Sequence, residues 1–477
     1  LQKERRKLPP KGKVKRYLLT CAQNNTRVHP EFWNNLKVYA KHCEAELLVS
    51  QFAYNKASYT GATNVKPGQG PSIEDFDSMW FDSALEGYFC NARVELGPNL
   101  MFCGEVTIMP TAARPLSGFE TYTRGADGIF PHTTIALESI PGHMVGDTKM
   151  NYTTGTVTIK NYIIRKAGLK AEFHHVYGAL TVEVDSEGSH WIRQINATGD
   201  GSFYDLDAFV EDGEVTTGHR VEAINWGDIH VDSIDEEVAA LSFGGGGILD
   251  TLRPRYQFMH DTLDFHSRNH HRIKNSHAMF ERWIQKRECV RSELEKVVDF
   301  LNDMSYREDC ETVVIPSNHD DALERWLREA NPKTDPINAI FYHETELKKL
   351  YAIQEQNDDH YLLEEVLQSL GTRSEIKFLH EDTSFLLCGN IEAGMHGHLG
   401  PNGARAGILS FARMGRRTNT GHSHTTGIVW GAYVAGTMSQ LRLEYNKGPS
   451  SWSYSDIVTY PNSKRCILSI RNNKWRG

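Results

Sequence analysis

The 477-residue sequence predicts an α/β protein, in which a layered α/β domain follows a separate α+β N-terminal domain. Three observations support this. At roughly 150 residues per domain, the length indicates more than one unit. The chain opens as strand, helix, strand, and its second half alternates strands with helices. We place the boundary near residue 215, which gives domains at 1–215 and 216–450 and a C-terminal extension at 451–477.

The N-terminal domain begins with an apolar run at Tyr17–Cys21, a helix at Glu31–His42 and a second apolar run at Glu46–Ser50. A polar, glycine-rich loop follows at Asn55–Ser72. From about residue 94 to residue 196 the composition is typical of strands. The runs 177–184 and 190–195 flank an Asp-Ser-Glu-Gly turn, which predicts a β-hairpin.

The second half contains short apolar runs that end abruptly in Asp, His or Asn. Four of them are predicted strands: Val221–Trp226, Tyr256–Met259, Thr312–Ile315 and Phe385–Cys388. Helical spacing predicts helices at Asn275–Leu301, Asp321–Glu329, Glu344–Gln354 and Tyr361–Leu370. Because functional loops of such domains lie beyond the carboxyl ends of the strands, the polar strand ends are candidate site residues.

Composition limits the classes of partner. With 52 basic and 61 acidic residues, the net charge of −9 excludes a strongly basic nucleic-acid coat protein. It does not exclude a nuclease, because metal-binding enzymes gather carboxylates and need only a local basic path. No run approaches the roughly 18–20 apolar residues of a membrane helix, so no membrane partner is expected. The eight cysteines form no CxxC pair, which favours reduced thiols in a cytoplasmic compartment.

A basic segment opens the chain, with eight Lys or Arg between residues 3 and 16 against one Glu. It is either a solvated arm or an arm that contacts phosphates. No signal peptide is visible, but the chain starts at Leu1, so this absence carries little weight and the true N-terminus could be missing.

Five short motifs carry candidate metal ligands. They are Asp228-Ile-His230, His260-Asp261-Thr-Leu-Asp264, Asn318-His319-Asp320, His396-Gly-His398 and Gly421-His422-Ser-His424. Each contains residue types that bind divalent metals. Singly each is a weak signal, but the ordered set of five predicts a metal centre.

The order of these motifs resembles the calcineurin-like metallophosphoesterase superfamily over about 220–444, most closely its exonuclease branch in double-strand-break repair. The resemblance implies a β-sandwich flanked by helices. Two positions depart from the family pattern, because His260 and Ser317 stand where glycine is usual. Tight turns favour glycine, so the local loop geometry is in doubt there.

The resemblance also implies roles for individual residues. Asp228, His230 and His424 would bind a first metal, and Asp261 would bridge both metals. Asn318, His396 and His422 would bind the second, with His398 as an alternative ligand or a neighbour of the ligands. His319 would protonate or stabilise the leaving oxygen, oriented by Asp264. The histidine-rich run His260, His266, His270, His271 and His277 favours exposed residues at the start of a helix over extra metal ligands.

Two divalent ions are the expected cofactors. The mixed oxygen and nitrogen donors suit Mn²⁺, with Fe, Zn and Mg²⁺ as alternatives. Two such ions clamp a phosphate, and a bridging hydroxide then attacks the phosphodiester.

Several features favour double-stranded DNA as the substrate. They are the large N-terminal domain, the helical insertion and the arginines before the last motif, Arg405, Arg413, Arg416 and Arg417. These arginines are either solvated surface or a track for the phosphodiester backbone. The whole chain also resembles the pre-early DNases with which T-five-like coliphages degrade host DNA. That likeness implies a bacterial host cytoplasm and a homo-oligomer.

Two alternatives remain open. One is a phosphatase of nucleotides or phosphoproteins on the same scaffold, because metal ligands alone do not select the phosphoester. The other is a host-takeover module that binds a host protein without catalysis. The complete ligand set argues against the second.

Overall fold

A computed structural model describes residues 3–54, 79–443 and 446–477. These residues form a mixed α/β fold with several sheets, as predicted. The loop predicted at Asn55–Ser72 lies outside the described residues.

The strands before residue 217 are β1 Lys3–Arg5, β2 Val14–Gln23, β3 Ala45–Phe52, β4 Arg93–Gly97, β5 Leu100–Cys103, β6 Asp127–Phe130, β7 Leu137–Ile140, β8 Lys149–Thr153, β9 Gly178–Asp185, β10 His190–Asn196, β11 Phe203–Asp205, β12 Ala208–Glu211 and β13 Glu214–Thr216. The later strands are β14 Ala223–Asn225, β15 Tyr256–His260, β16 Glu311–Ile315, β17 Lys377–Phe378, β18 Leu386–Leu387, β19 Ile391–Glu392, β20 Arg417–Thr420, β21 Gly427–Val429, β22 Ala432–Val434, β23 Ser455–Thr459 and β24 Arg465–Ser469.

The α-helices are α1 Pro30–His42, α2 Lys166–Phe173, α3 Glu236–Phe243, α4 Ile248–Leu252, α5 Ser276–Ile284, α6 Val290–Met304, α7 Asp321–Glu329, α8 Ala339–Gln354, α9 Leu362–Ser369 and α10 Ile408–Phe411. Short 3-10 helices lie at Ser83–Leu85, Val231–Ser233, Pro332–Thr334 and Pro401–Gly403. The helix predicted at Asn275–Leu301 is divided between α5 and α6, and Lys286 between them has a φ of 56°.

The predicted opening of the chain is confirmed as β2, α1 and β3. Strands β2 and β3 are parallel, and β9 and β10 form the predicted antiparallel hairpin; the sheet order is β10-β9-β2-β3. Helix α1 begins with Pro30 at its first turn, where the ring costs no hydrogen bond. The preceding His29 caps it, because His29 Nδ1 accepts a hydrogen bond from Phe32 N at 3.3 Å.

A six-stranded sheet in the order β17-β16-β15-β14-β23-β24 supports the candidate motifs. Strands β14 to β17 are parallel, and their side chains alternate between two cores. Ile224, Met259 and Val314 face the core shared with helices α6, α7 and α9. Phe258 and Val313 face the opposite core, with Leu387 and Ile391 of β18 and β19. The sheet therefore lies between a helical layer and a second sheet.

That second sheet joins the two halves of the chain. Its order is β1-β4-β5-β6-β8-β7-β21-β22-β20-β19-β18, and the halves meet where Leu137 of β7 pairs with Ile428 of β21. The described residues at the predicted boundary form the small sheet β11-β12-β13. Strands β23 and β24, from the predicted C-terminal extension, belong to the six-stranded sheet. A separate N-terminal domain is thus not confirmed, and metallophosphoesterase layering stays a prediction.

Within the described residues, no helix has the length and apolar character needed to cross a membrane. All eight cysteines are free thiols, as the absence of paired spacing predicts.

Candidate metal centre

The sheet edges bring the five motifs together. Asp228, Asp261 and Asn318 follow β14, β15 and β16, which are parallel neighbours in one sheet. The carboxyl ends of parallel neighbours meet at one edge, so these residues lie close together. The histidines of the last two motifs follow β19 and β20, a parallel pair in the facing sheet.

Unusual backbone conformations occur at four of the candidate ligands. The φ angles are 51° at His230, 55° at Asp261, 69° at His422 and 54° at His424. Non-glycine residues adopt this left-handed region at a cost of about 1 kcal/mol or more, and such residues cluster at functional sites. The loops are held by hydrogen bonds, including His230 N to the Asp261 carbonyl oxygen at 2.8 Å.

A first cluster of donor atoms contains Asp228, His230, Asp261 and His424, all buried. His230 Nε2 lies 3.2 Å from Asp261 Oδ2 and 3.0 Å from His424 Nε2. His424 Nε2 lies 2.9 Å from Asp228 Oδ2. Two carboxylates and two imidazoles thus converge on one point, which is a donor set that divalent transition metals accept.

A second cluster shares Asp228 and adds His260 and His396. His260 Nδ1 lies 3.0 Å from Asp228 Oδ1 and 3.1 Å from His396 Nδ1. The other nitrogen of His396, Nε2, lies 3.6 Å from Asp261 Oδ2, which belongs to the first cluster. The two clusters therefore adjoin, and Asp228 presents one carboxylate oxygen to each.

Several buried polar atoms at this site have no hydrogen-bond partner among the described residues. They are Asp261 Oδ1, Asn318 Oδ1 and His396 Nε2. Native proteins leave few buried polar atoms unsatisfied, and a bound ion can satisfy several such atoms at once. These residues can therefore hold a metal ion.

The electrostatics of the site suit a cation. Burial raises the pKa of Asp228, but His396 and His424 outweigh it, so that the pKa lies well below the usual value. Burial lowers the pKa of His396 well below its usual value, although Asp261 and Asp228 act against this. Asp228 is therefore ionised and His396 neutral near pH 7, which are the forms that bind metals. Burial lowers the pKa of His230, but Asp261 and Asp264 outweigh it and raise the pKa to about 9, so an ion bound there would displace a proton.

Comparison with known proteins gives one informative relative. The chain is 40% identical to "Protein A1" of Escherichia phage T5 over 474 residues, which cover 97% of this chain and 83% of the relative. The chain belongs to the Protein A1 family. No protein-family model matches it. No solved structure matches it either.

In this Protein A1 family member, Asp264 and His319 are arranged differently from the prediction. Asp264 Oδ1 lies 3.0 Å from His230 Nδ1, and Asp264 Oδ2 accepts a hydrogen bond from Asp232 N. His319 Nδ1 hydrogen-bonds to the backbone carbonyl oxygen of Asp264 at 3.4 Å, and donor atoms of His230, Asp264 and His319 lie within 4.8 Å of one another. The carboxylate thus supports His230, and His319 is held by the main chain.

His319 is half-buried and lines a cleft of about 980 Å³ beside the clusters. Its ring centroid lies 5.0 Å from that of His230. His319 therefore connects the candidate metal centre with open space in which a substrate can lie.

The remaining predicted ligands lie around His396. The His422 ring centroid is 5.2 Å from that of His396, and His422 N donates to Asp228 Oδ1 at 3.0 Å. The His398 ring centroid is 5.5 Å from that of His396. Among the described residues, the side chains of His398 and His422 belong to neither donor cluster, whereas His396 belongs to the second.

Sequence reasoning favoured an exposed position for His260 over a ligand role. It was expected to be one of the exposed histidines, but it is only 1% exposed and contacts two candidate ligands. The available signal was its position as the last residue of β15, directly before Asp261.

Sequence reasoning also missed the role of Asp320, whose carboxylate holds the loop that carries Asn318 and His319. Asp320 Oδ2 accepts hydrogen bonds from Ser317 N at 2.7 Å and from the Tyr361 hydroxyl at 2.9 Å. Burial, with a contribution from Asp261, raises the pKa of Asp320 to about 7. Tyr361 lies just before α9, so a distant part of the chain fixes this loop.

The predicted basic surfaces differ from each other. Arg405, Arg413, Arg416 and Arg417 are exposed. In the N-terminal segment, Arg6 pairs with Glu4 and Glu46, and Arg16 pairs with Glu183. The ion pairs weaken the interpretation of the N-terminal segment as a phosphate-contacting arm, whereas the arginines before the last motif remain open to solvent.

Proposed function

We propose that this protein is a two-metal phosphodiesterase that cleaves DNA, and that it degrades host DNA in the cytoplasm of a phage-infected bacterium. The observation that carries the proposal is the pair of adjoining donor clusters that share Asp228. Paired metals about 3.5–4 Å apart are typical of nucleases and phosphatases. The Protein A1 relative from a phage supports the setting.

The residues fit two divalent ions, with Mn²⁺ as the preferred one. Asp228, His230, Asp261 and His424 would hold the first. His396 would hold the second together with Asn318 and His422, as the metallophosphoesterase resemblance implies. When bound, such ions polarise a phosphoryl group and lower the pKa of water to near neutrality.

His319 is the residue that we assign to the leaving group. It stands between the donor clusters and the cleft, and its Nδ1 approaches a backbone carbonyl oxygen. A hydrogen bond from Nδ1–H to that carbonyl leaves Nε2 free for exchange of a proton with substrate. General acid catalysis of this kind contributes roughly 10²- to 10⁴-fold to a rate.

The size of the cleft suits a chain of phosphodiesters better than a small phosphomonoester. At about 980 Å³ it lies at the upper limit of typical small-molecule pockets. Its wall includes four acidic residues, Asp232 (paired with Lys296), Asp235, Glu236 and Glu237, and five basic residues, Arg272, Arg282, Arg287, Lys296 and Arg442. Contacts from such groups to phosphates position a nucleic-acid backbone without reading its sequence.

The test is incubation of purified full-length protein with linear and with circular double-stranded DNA, in Mn²⁺, in Mg²⁺ and in EDTA. Asp228→Ala removes the shared ligand, and Asp359→Ala removes an exposed carboxylate as a matched control. We expect cleavage in Mn²⁺ that is lost in EDTA and in Asp228→Ala alone. Attack on the circle identifies endonuclease capacity.

Two results contradict the nuclease proposal. Hydrolysis of a phosphomonoester without cleavage of either DNA would identify a phosphatase. Binding of DNA or of a host protein without any hydrolysis would identify a non-catalytic module.

A further inference from the structure

His260 makes two short polar contacts inside the candidate metal centre. Its Nδ1 lies 3.0 Å from Asp228 Oδ1 and 3.1 Å from His396 Nδ1, and the last two atoms are 4.0 Å apart. The three side chains are at most 2% exposed. The contacts are therefore direct and lie inside the protein.

Hydrogen bonding alone satisfies this group of atoms poorly. A neutral imidazole carries one proton on its two nitrogens, so His260 Nδ1 is either a donor or an acceptor. As a donor to Asp228 it has no second proton for His396. As an acceptor from His396 it directs a lone pair at the Asp228 carboxylate. Each arrangement leaves one short contact without a proton, and unsatisfied buried groups are costly.

A cation satisfies all three atoms together. With metal–ligand bonds of roughly 2.1 Å, separations of 3.0 and 3.1 Å correspond to ligand–metal–ligand angles of about 90–95°, and 4.0 Å to about 145°. Angles near 90° are those of five- and six-coordinate sites. The three atoms are therefore spaced as ligands of one ion.

We propose that His260 is a metal ligand, which together with Asp228 and His396 binds one of the two divalent transition ions. Asp228 would then offer one carboxylate oxygen to each cluster, Oδ2 beside His424 in the first and Oδ1 beside His260 in the second, a role that the resemblance implied for Asp261. Two imidazoles and one carboxylate favour Mn²⁺, Fe²⁺ or Zn²⁺ over Mg²⁺ or Ca²⁺. The inference rests on the proposed function for the presence of a second ion.

The chain makes room for this ligand at Gly421. A Cβ atom at residue 421 would collide with the His260 ring and with Asp228 Oδ1. The absence of a side chain at Gly421 thus lets the last motif approach His260 and Asp228 closely. Metallophosphoesterases usually have glycine where His260 stands, so the ligand is a feature of this chain.

The direct test is a crystal structure of the full-length protein soaked in Mn²⁺, with anomalous diffraction data and no DNA. We expect an anomalous peak roughly 2.0–2.3 Å from His260 Nδ1. A peak beside His396 Nε2 that leaves His260 Nδ1 beyond bonding distance would overturn the inference, since His260 would then only orient His396. The absence of a peak at His260 in saturating Mn²⁺ would overturn it as well.

A solution test uses His260→Ala and His260→Gln, with His277→Ala as a matched control from an exposed position of the same histidine-rich run. We expect both His260 variants to lose one Mn²⁺ per chain by elemental analysis, while His277→Ala retains two. Circular dichroism checks that each variant is folded. Unchanged Mn²⁺ content and affinity in a folded His260 variant contradict the proposal.

These measurements separate the inference from the proposed function. Both read metal binding without DNA, so a protein that binds Mn²⁺ through His260 and cleaves no DNA would keep the inference and end the nuclease proposal. A protein that cleaves DNA with no ion on His260 would support the nuclease proposal and overturn the inference about His260.

Discussion

Asp264 supports His230 and not His319. The Asp264 carboxylate lies 3.0 Å from His230 Nδ1, whereas the hydrogen bond between Asp264 and His319 Nδ1 uses the main-chain oxygen of Asp264. A carboxylate on the far nitrogen of a metal-binding histidine fixes its tautomer and turns the other nitrogen towards the ion. His230 Nε2 does face the donor atoms of the first cluster.

We therefore predict that Asp264→Asn weakens Mn²⁺ binding about 10- to 100-fold, the typical effect of losing such a support. Titration calorimetry without DNA measures the affinity. DNA cleavage should recover at high Mn²⁺, because the chemical groups remain. Normal Mn²⁺ affinity with a permanently low cleavage rate would instead show that Asp264 acts through His319.

His319→Ala should lower the cleavage rate and leave Mn²⁺ binding intact, the opposite of the effect expected for Asp264→Asn. Its ring lies outside the two donor clusters that share Asp228, although a ring nitrogen lies within 4.8 Å of donor atoms of His230 and Asp264, and it lines the cleft. We expect the cleavage rate to fall at least about 100-fold, while the protein still binds its full complement of Mn²⁺. Elemental analysis of the variant decides the point, since loss of metal would make His319 a ligand.

The sequence predicted the candidate site better than it predicted the overall fold. The motifs follow short apolar strands, and parallel pairing brings strand ends together, which predicts one site. The assignment of Asp228, His230, Asp261 and His424 to one metal came from the metallophosphoesterase resemblance, and the structure brings the four into one cluster. The pairing of β7 with β21 joins residues almost 300 positions apart. No local pattern specifies such a partner, which explains why the shared sheet was not anticipated.

The errors within the site have a related cause. His260 was grouped with the histidines that follow it, although its place at the end of a buried strand distinguishes it from them. Asp320 is held by Tyr361, which lies 41 residues further along the chain. Distant contacts of this kind decide which nitrogen or oxygen faces which neighbour. Residue spacing therefore could not predict whether the Asp264 carboxylate bonds to His230 or to His319.

Gly421→Ala tests the close packing of the centre. Its new methyl group would meet Asp228 and His260, both buried, and overpacking of this kind costs about 1–3 kcal/mol. We predict a lower melting temperature and loss of bound Mn²⁺. The control is Gly415→Ala, where a Cβ atom meets nothing within 4 Å. Equal behaviour of the two variants would show that the loop adjusts without cost.

A buried ion-pair network predicts loss of stability in acid. Arg193 Nη1 pairs with Glu183 Oε2 at 2.8 Å, and Arg193 Nε pairs with Asp205 Oδ1 at 2.7 Å. Burial raises the pKa of Glu183, but Arg193 and Arg16 outweigh it and bring the pKa to about 2, from an ordinary 4.5. A depressed folded-state pKa stabilises the protein above the unfolded-state pKa, by about 3 kcal/mol here.

That contribution should disappear as the pH falls from about 4.5 to about 2. Glu183→Gln should therefore be less stable than the parent protein at pH 7, and the difference should narrow towards pH 2. Urea unfolding across this range measures it, with the exposed Glu187→Gln as the control. A difference that is independent of pH would assign the loss to packing.

The exposed arginines before the last motif provide a test of the route that DNA takes. Arg413, Arg416 and Arg417 lie between the fourth and fifth motifs and are open to solvent. If each contacts one phosphate of double-stranded DNA, its removal reduces the slope of log affinity against log salt by about 0.9. We predict that the triple change to Gln weakens DNA binding and flattens this slope.

The matched control is a triple change of Arg124, Arg165 and Lys166 to Gln. These residues are exposed and far from the motifs in sequence, and their substitution removes the same amount of charge. Both proteins carry the same net charge, so a general effect of charge lowers affinity equally in both. If Arg413, Arg416 and Arg417 contact the phosphates directly, the slope of log affinity against log salt falls only in the variant that lacks them. If both slopes remain at the parent value, the backbone of DNA is held elsewhere, and the basic residues that line the 980 Å³ cleft become the next positions to substitute.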